Sequence, residues 1–239
     1  MPLQPQKSSN STGRGAASTG QRLLRFDRRL GARYVAGVDE AGRGSLAGPL
    51  VVAGVLLDYD CLRDPRVRPL AALNDSKQLT PPQREELYRA VVGCAERVSV
   101  QVFSPAEIDR NGLHRSNLAG MRAALHDLAP PAELCLVYCF LLGPTAPPHR
   151  AVVDGDTKSA AIAAASIVAK VVRDGTMRRL HALYPHYGFA SHVGYITPSH
   201  SRRVRERGPS EVHRLSFQSL CYLPEDEADA IRAARVAAR

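Results

Sequence analysis

Asp39 and Glu40 stand side by side at the end of a short apolar stretch, in Tyr34-Val35-Ala36-Gly37-Val38-Asp39-Glu40-Ala41-Gly42-Arg43-Gly44. Neighbouring side chains of a strand point to opposite faces, so both acids reach one site only where the strand ends. The glycines that follow permit such an ending. Carboxylate oxygens suit hard divalent cations, and Mg²⁺ commonly takes one or two of them together with a substrate phosphate. A lone Asp-Glu pair is more often a solvated strand end. Gly42-Arg43-Gly44 adds a backbone that can come close to a ligand, with N–H groups able to face a phosphate or a sugar hydroxyl. Beside the acid pair, the segment points to an enzyme that uses metal ions to cut nucleic acid.

Three further stretches carry chemistry. In Leu73-Asn74-Asp75-Ser76-Lys77 a lysine sits among small polar groups and could contact a phosphate, although Asp75 and Ser76 could equally satisfy local backbone donors. Asp154-Gly155-Asp156-Thr157-Lys158 offers another carboxylate at a sheet edge, in competition with Asx-turn chemistry at a helix start. The run from Tyr184 to Thr197, with His200 and His213-Arg214-Leu215-Ser216-Phe217, mixes aromatic and basic side chains. Aromatic faces stack on sugars or bases while arginines follow phosphates, but Phe189 and Phe217 read better as core.

The elements that must position these groups are interleaved. Strands are expected over 34–38, 50–57, 97–103, 134–142 and 151–153, from apolar and β-branched runs. Thr80-Pro81-Pro82-Gln83 and Ser104-Pro105-Ala106-Glu107 have capping-box spacing, and the first opens a helix to about Glu96. Helical spacing runs over 113–128, an alanine-rich helix over 159–183, and a short basic one over 198–207. The class is α/β or α+β with a mixed sheet.

Composition bounds the rest. The chain of 239 residues, 44% apolar and 5% aromatic, suits one core with tails. No apolar run approaches the roughly 18 residues of a membrane span, and the N-terminus has no secretory stretch. The five cysteines form no CxxC pair, which fits a reducing cytoplasm, with Cys135 and Cys139 expected to be buried. Net charge is +9, but residues 1–33 hold seven basic side chains against one acid. Rich in Ser, Gly and Thr, that stretch reads as a disordered basic arm adding non-specific affinity for polyanions, or as a transit peptide.

VDEAGRGSLAGP, LNDSKQLT, AAASIVAKVVRD, YPHYGFASHVGYITPSH and HRLSF occur in that order between Tyr34 and Phe217. Together they resemble bacterial ribonuclease HII. The resemblance implies a ribonuclease-H-like fold, a central mixed sheet flanked by helices with a small C-terminal helical region. It implies a catalytic domain over 34–223 and a C-terminal helix or tail over 224–239. The activity implied is metal-dependent cleavage, with Mn²⁺ or Mg²⁺, of RNA in RNA–DNA hybrids and nicking 5′ of ribonucleotides embedded in duplex DNA, by a monomer. By resemblance Asp39, Glu40 and Asp156 are metal ligands and catalytic. Gly42, Arg43 and Gly44 sense the ribose 2′-hydroxyl, Asp75, Ser76 and Lys77 lie near the backbone, and Tyr195 stacks on the following sugar.

Two positions depart from that pattern. The third carboxylate of the family falls on Tyr138, a neutral phenol and a poor Mg²⁺ ligand. Three readings follow: Asp154 supplies the missing charge, the enzyme works weakly or prefers Mn²⁺, or the protein binds hybrids without cutting. Val193 stands where relatives often have lysine, at the cost of one phosphate contact.

Overall fold

The computed structural model describes residues 17–61, 65–217, 219–224, 226–228, 230 and 231. Its strands are β1 Tyr34–Ala41, β2 Leu50–Asp58, β3 Arg97–Phe103, β4 Leu134–Tyr138 and β5 His149–Val152, in one sheet of order β3-β2-β1-β4-β5. β2 runs antiparallel to β1 and β3, while β1, β4 and β5 are mutually parallel. The helices are α1 Thr19–Arg28, α2 Pro81–Cys94, α3 Pro105–Asn111, α4 Leu113–Leu128, α5 Ala160–Leu183, α6 Phe189–His192 and α7 Pro198–Arg207. The mixed sheet between helices is the expected architecture.

Period-two alternation sorts the sheet into two cores. Val35, Val51, Ala53, Val55 and Leu136 pack under the alanines of α5, with Leu23 of α1 and Leu87 and Val91 of α2. On the other face Ala36, Val38, Val52 and Val137 meet Ile108 of α3 and Met121, Ala124, Leu125 and Leu128 of α4. β2 is buried along its whole length, which is why it reads as an unbroken apolar run. Small residues let α5 lie almost on β1: a Cβ at Gly37 would collide with the backbone of Ala161. That contact carries Ser166 and Lys170, further along α5, over the end of β1. A third cluster (Leu46, Ala47, Met177, Tyr187, Phe189, Val204 and Cys221) joins the C-terminal segments to the loop after β1.

Both capping boxes form. Thr80 N donates to Gln83 Oε1 at 2.8 Å, and Ser104 N donates to Glu107 Oε2 at 2.7 Å while Glu107 N donates back to Ser104 Oγ at 3.2 Å. Two expectations need correction. Residues 19–28 are helical rather than disordered, because one face of α1 is anchored: Leu23 enters the core, and buried Asp27 accepts from Tyr59 Oη at 2.7 Å and from Ala161 N, in the first turn of α5, at 2.9 Å. Residues 1–16 of the expected arm lie outside the described residues. β4 stops at Tyr138 instead of reaching Leu142, since Cys139 turns into the left-handed region with φ 59° and is exposed. Of the expected C-terminal helix or tail, residues 226–228, 230 and 231 are helical, and 225, 229 and 232–239 lie outside the described residues. No described helix is long and apolar enough to cross a membrane.

Candidate active site

A cleft of about 560 Å³ opens at the carboxyl ends of β1 and β4. Asp39, Glu40, Gly42, Arg43, Gly44, Ser76, Lys77, Tyr138, Asp156 and Tyr195 line it, together with Arg84, Ser166 and Lys170. Most of the residues singled out in the sequence thus meet in one place, brought there from segments far apart in the chain.

The acid pair sits as the strand-end argument requires. Asp39 points to the α5 side of the sheet and is buried, its Oδ1 accepting from Glu40 N at 2.7 Å. Burial, then the charges of Glu40 and Asp156, push its pKa well up, against hydrogen bonds from Glu40 N and Ser166. Burial likewise raises Glu40, opposed chiefly by Arg43, whose Nη1 lies 3.9 Å from Glu40 Oε1. Glu40 Oε2 is buried and has no hydrogen-bond partner among the described residues. Asp156, on the turn Gly155–Thr157 before α5, is raised by burial and by the charge of Asp75, with Lys77 opposing. Carboxylates crowded and dehydrated in this way are neutralised either by protons or by a cation.

Among the described residues, no group of three or more His, Cys, Asp and Glu side chains is arranged to hold a metal ion. The donors are nevertheless all hard oxygens, and the buried, unpartnered Oε2 of Glu40 is a free acceptor. That chemistry fits a hard divalent cation held by one or two carboxylates, with water and substrate phosphate supplying the remaining oxygens. Tyr138 adds no charge to this set. It ends β4 on the same side of the sheet as Asp39, and burial, with the charges of Asp156 and Asp39 following, raises its phenol, so it stays neutral.

Asp154 and Asp75 do not join the cleft wall. Asp154 is exposed at a left-handed turn residue (φ 51°), where its carbonyl accepts from Thr157 N at 3.1 Å. Asp75 spends its carboxylate locally, Oδ1 accepting from Lys77 N at 2.9 Å and Oδ2 from Gln78 Nε2 at 3.4 Å. Its neighbour Ser76 is buried, its hydroxyl 2.8 Å from that of Ser166.

The glycine-arginine loop is held from beneath by two buried arginines: Arg173, given no role from sequence, and Arg214, which the sequence set among phosphate-following groups but which is buried against backbone carbonyls instead. Arg173 of α5 donates to the carbonyls of Pro49 (3.0 Å), Val193 (2.8 Å) and Ala47 (3.0 Å). Arg214 donates to those of Gly48 (3.0 Å), Gly42 (2.7 Å) and Arg43 (3.3 Å). Burial lowers both, Arg214 to about 9, which leaves it charged at neutral pH. Gly42 adopts φ 91° directly over Arg173, whereas Gly44 meets no heavy atom within 4 Å on its Cβ side. Ser45 pairs with Tyr195 in an isolated antiparallel bridge, so loop and tyrosine are one unit. Lys170 Nζ lies 5.4 Å from the centre of the Tyr195 ring and bonds Asp174 at 2.8 Å. Arg84 reaches Asp174 at 3.7 Å and donates to the carbonyls of Ser76 and Leu79, tying the Asp75–Lys77 loop to α5. Val193 takes φ 42°, rare for a β-branched residue.

Three buried histidines brace the Tyr195 segment. His200 Nδ1 is 2.9 Å from Tyr195 O, His200 Nε2 is 3.1 Å from His213 Nε2, and His192 Nε2 is 2.8 Å from Tyr187 O. Burial lowers all three, His200 and His213 to about 4, so the cluster is neutral. Phe189 lies within it as core, as its sequence context indicated.

Five strands in this order, with helices on both faces and a carboxylate cleft at the sheet end, define a ribonuclease-H-like protein. The solved ribonuclease H2 of Pyrococcus horikoshii OT3 superposes with a TM-score of 0.67 at 27% identity, over 83% of this chain and 99% of that one. The family model for ribonuclease HII matches residues 36–220. The ribonuclease HII of Geobacillus kaustophilus (strain HTA426) is 42% identical over 200 residues, 82% of this chain and 74% of the relative. That of Parafrankia sp. (strain EAN1pec) is 45% identical over 206 residues, 85% of this chain and 84% of the relative. The chain belongs to the ribonuclease HII family, whose members cleave the RNA strand of RNA–DNA hybrids.

Proposed function

We propose that the chain is a divalent-metal-dependent endoribonuclease that cuts RNA in RNA–DNA hybrids and nicks duplex DNA 5′ of an embedded ribonucleotide. The observation that carries this reading is the meeting of Asp39, Glu40 and Asp156 with the open Gly44 backbone, Lys77 and Tyr195 in one cleft. In the reaction a water oxygen bonds to phosphorus as the P–O3′ bond breaks, leaving a 3′-hydroxyl and a 5′-phosphate. Mn²⁺ or Mg²⁺ held by Asp39, Glu40 and Asp156 would supply the positive charge that activates water and offsets the charge on the leaving oxygen. Around it, Lys77 and Lys170 place positive charge where a phosphate enters, and Tyr195 offers a ring face to a sugar. The Gly42–Gly44 backbone is held ready for the 2′-hydroxyl that separates ribonucleotide from DNA. All these groups come from one chain, in keeping with a monomer. Its free cysteines accord with a cytoplasmic enzyme of ribonucleotide excision during DNA replication and repair.

Tyr138 favours a second reading, a protein that binds hybrids and cuts them slowly or not at all. Gel analysis of a duplex carrying one ribonucleotide, against an all-DNA control, separates the two. Nicking 5′ of the ribonucleotide with Mn²⁺ or Mg²⁺ is expected. Cutting that survives EDTA overturns the metal reading, and metal-replete binding without cutting selects the second.

A further inference from the structure

A second cavity, of about 270 Å³, lies beside the catalytic cleft and is lined by Arg22, Leu23, Arg25, Phe26, Arg29, Thr157 and Lys158. Arg22 and Arg25 on α1 and Arg29, its C-cap, are exposed and spaced i, i+3, i+7, so they share one helix face. The buried side of α1 is fixed by Leu23, which also lines the pocket, and by Asp27, whose bond to Ala161 N holds α1 against the start of α5. The stripe is therefore built into the fold. Among the described residues, no carboxylate lies within ion-pair distance of Arg22, Arg25, Arg29 or Lys158. Lys158 Nζ donates only to a carbonyl, Val153 O, at 2.7 Å.

The position of this pocket matters as much as its charge. Asp156 faces the cleft, and the next two residues of the same turn, Thr157 and Lys158, wall the basic pocket. Four cations, Arg22, Arg25, Arg29 and Lys158, therefore stand next to the turn that carries Asp156. From Arg22 to Arg29 the helix rises roughly 10 Å, the axial rise of about three nucleotides of one strand. We propose that this pocket binds backbone phosphates of the substrate duplex away from the cut, extending the track that starts in the cleft. Such contacts position the duplex and carry no sequence information. The proposal rests on the hybrid-binding reading above.

The test uses the full chain with Arg22→Gln, Arg25→Gln, Arg29→Gln and Lys158→Gln combined, substitutions that leave Leu23 and Asp27 untouched. An unchanged Tm confirms folding; should it fall, Arg22→Gln with Arg25→Gln alone serves. Binding is measured on hybrids shortened stepwise from each end, over a range of salt. On long hybrids the variant should bind about 10-fold more weakly, with a salt slope lower by roughly two to three, at about 0.9 per phosphate contact. Below a threshold length on one side, parent and variant should converge. Equal weakening at every length, or identical slopes, overturns the pocket; identical slopes are also what a site for acidic protein gives. A parent that binds no hybrid at all instead overturns the reading of the whole cleft.

Discussion

Tyr138 is the lateral neighbour of Asp39. The parallel register of β1 and β4 pairs Val38 with Val137, and one residue further along both strands brings Asp39 and Tyr138 together at the sheet end. A neutral phenol thus stands beside Asp39 at the sheet end, at the position where the resemblance leads one to expect a carboxylate. Under the proposed function it would lower the repulsion among the acids when no metal is bound and withhold one ligand when metal binds.

Restoring the acid should separate these two effects. Tyr138→Asp is expected to raise the Mg²⁺-supported cleavage rate about 10-fold or more, each 1.36 kcal/mol off the barrier being tenfold. In EDTA the same variant should melt earlier, because another charge is buried beside Asp39, and saturating Mg²⁺ should recover the loss. Rates and Tm with and without metal check both halves. An unchanged rate means that the existing carboxylates suffice.

Asp154 makes the opposite prediction from the one its sequence position suggested. It is exposed and does not line the cleft. Asp154→Asn should alter the cleavage rate less than about 2-fold, under 0.5 kcal/mol, in the parent and in Tyr138→Asp alike. Loss of activity confined to the parent would restore the compensation idea.

Gly42 and Gly44 flank one arginine but answer to different constraints. A Cβ at Gly42 would collide with the Arg173 guanidinium and sit at φ 91°. Gly42→Ala should therefore lower Tm, by several degrees at roughly 1–3 kcal/mol of strain, and displace the loop. Gly44 lies outside the positive-φ glycines and faces open space. Gly44→Ala should leave Tm within about 1 °C while weakening hybrid binding or cleavage about 10-fold, since only an incoming substrate fills that space. Melting curves and binding isotherms on both variants decide it.

Local signals were the legible part of the chain. The apolar runs placed β1, β2 and β3, and both capping boxes marked true helix starts. The meeting of Asp39, Glu40 and Asp156 was legible only through the motif resemblance, because it depends on β1 lying between β2 and β4, a long-range choice. Arg173 escaped, and Arg214 was read as following phosphates, because a charged side chain is rarely buried and their partners are backbone carbonyls that leave no mark in sequence. α1 was hidden by its polar composition, although Ser18-Thr19-Gly20-Gln21 carries a capping box that the structure forms. Asp75 makes the local bonds of its bland reading, to Lys77 N and Gln78 Nε2.

The histidine cluster predicts a pH dependence that the carboxylates do not share. His200 and His213 titrate at about 4 in the fold, because burial disfavours their charge, against an ordinary 6.5. Between those values the unfolded chain binds more protons than the folded one. The stability they contribute is therefore complete above about pH 6.5 and is lost as pH falls towards 4. Asp27, Asp39 and Glu40, raised by burial, act with the opposite sign as pH falls through their folded values. They are common to parent and variant, so a difference measurement removes them. His213→Gln takes away one member of the Nε2–Nε2 contact and should lower Tm at pH 7.5 by about 5 °C, at roughly 2–4 °C per kcal/mol for a chain of this size. In EDTA, that gap should narrow steadily from pH 6.5 to pH 4 and nearly close at the lower end. A gap that stays constant with pH would mean that the cluster braces Tyr195 by shape alone, with no contribution from its protonation state.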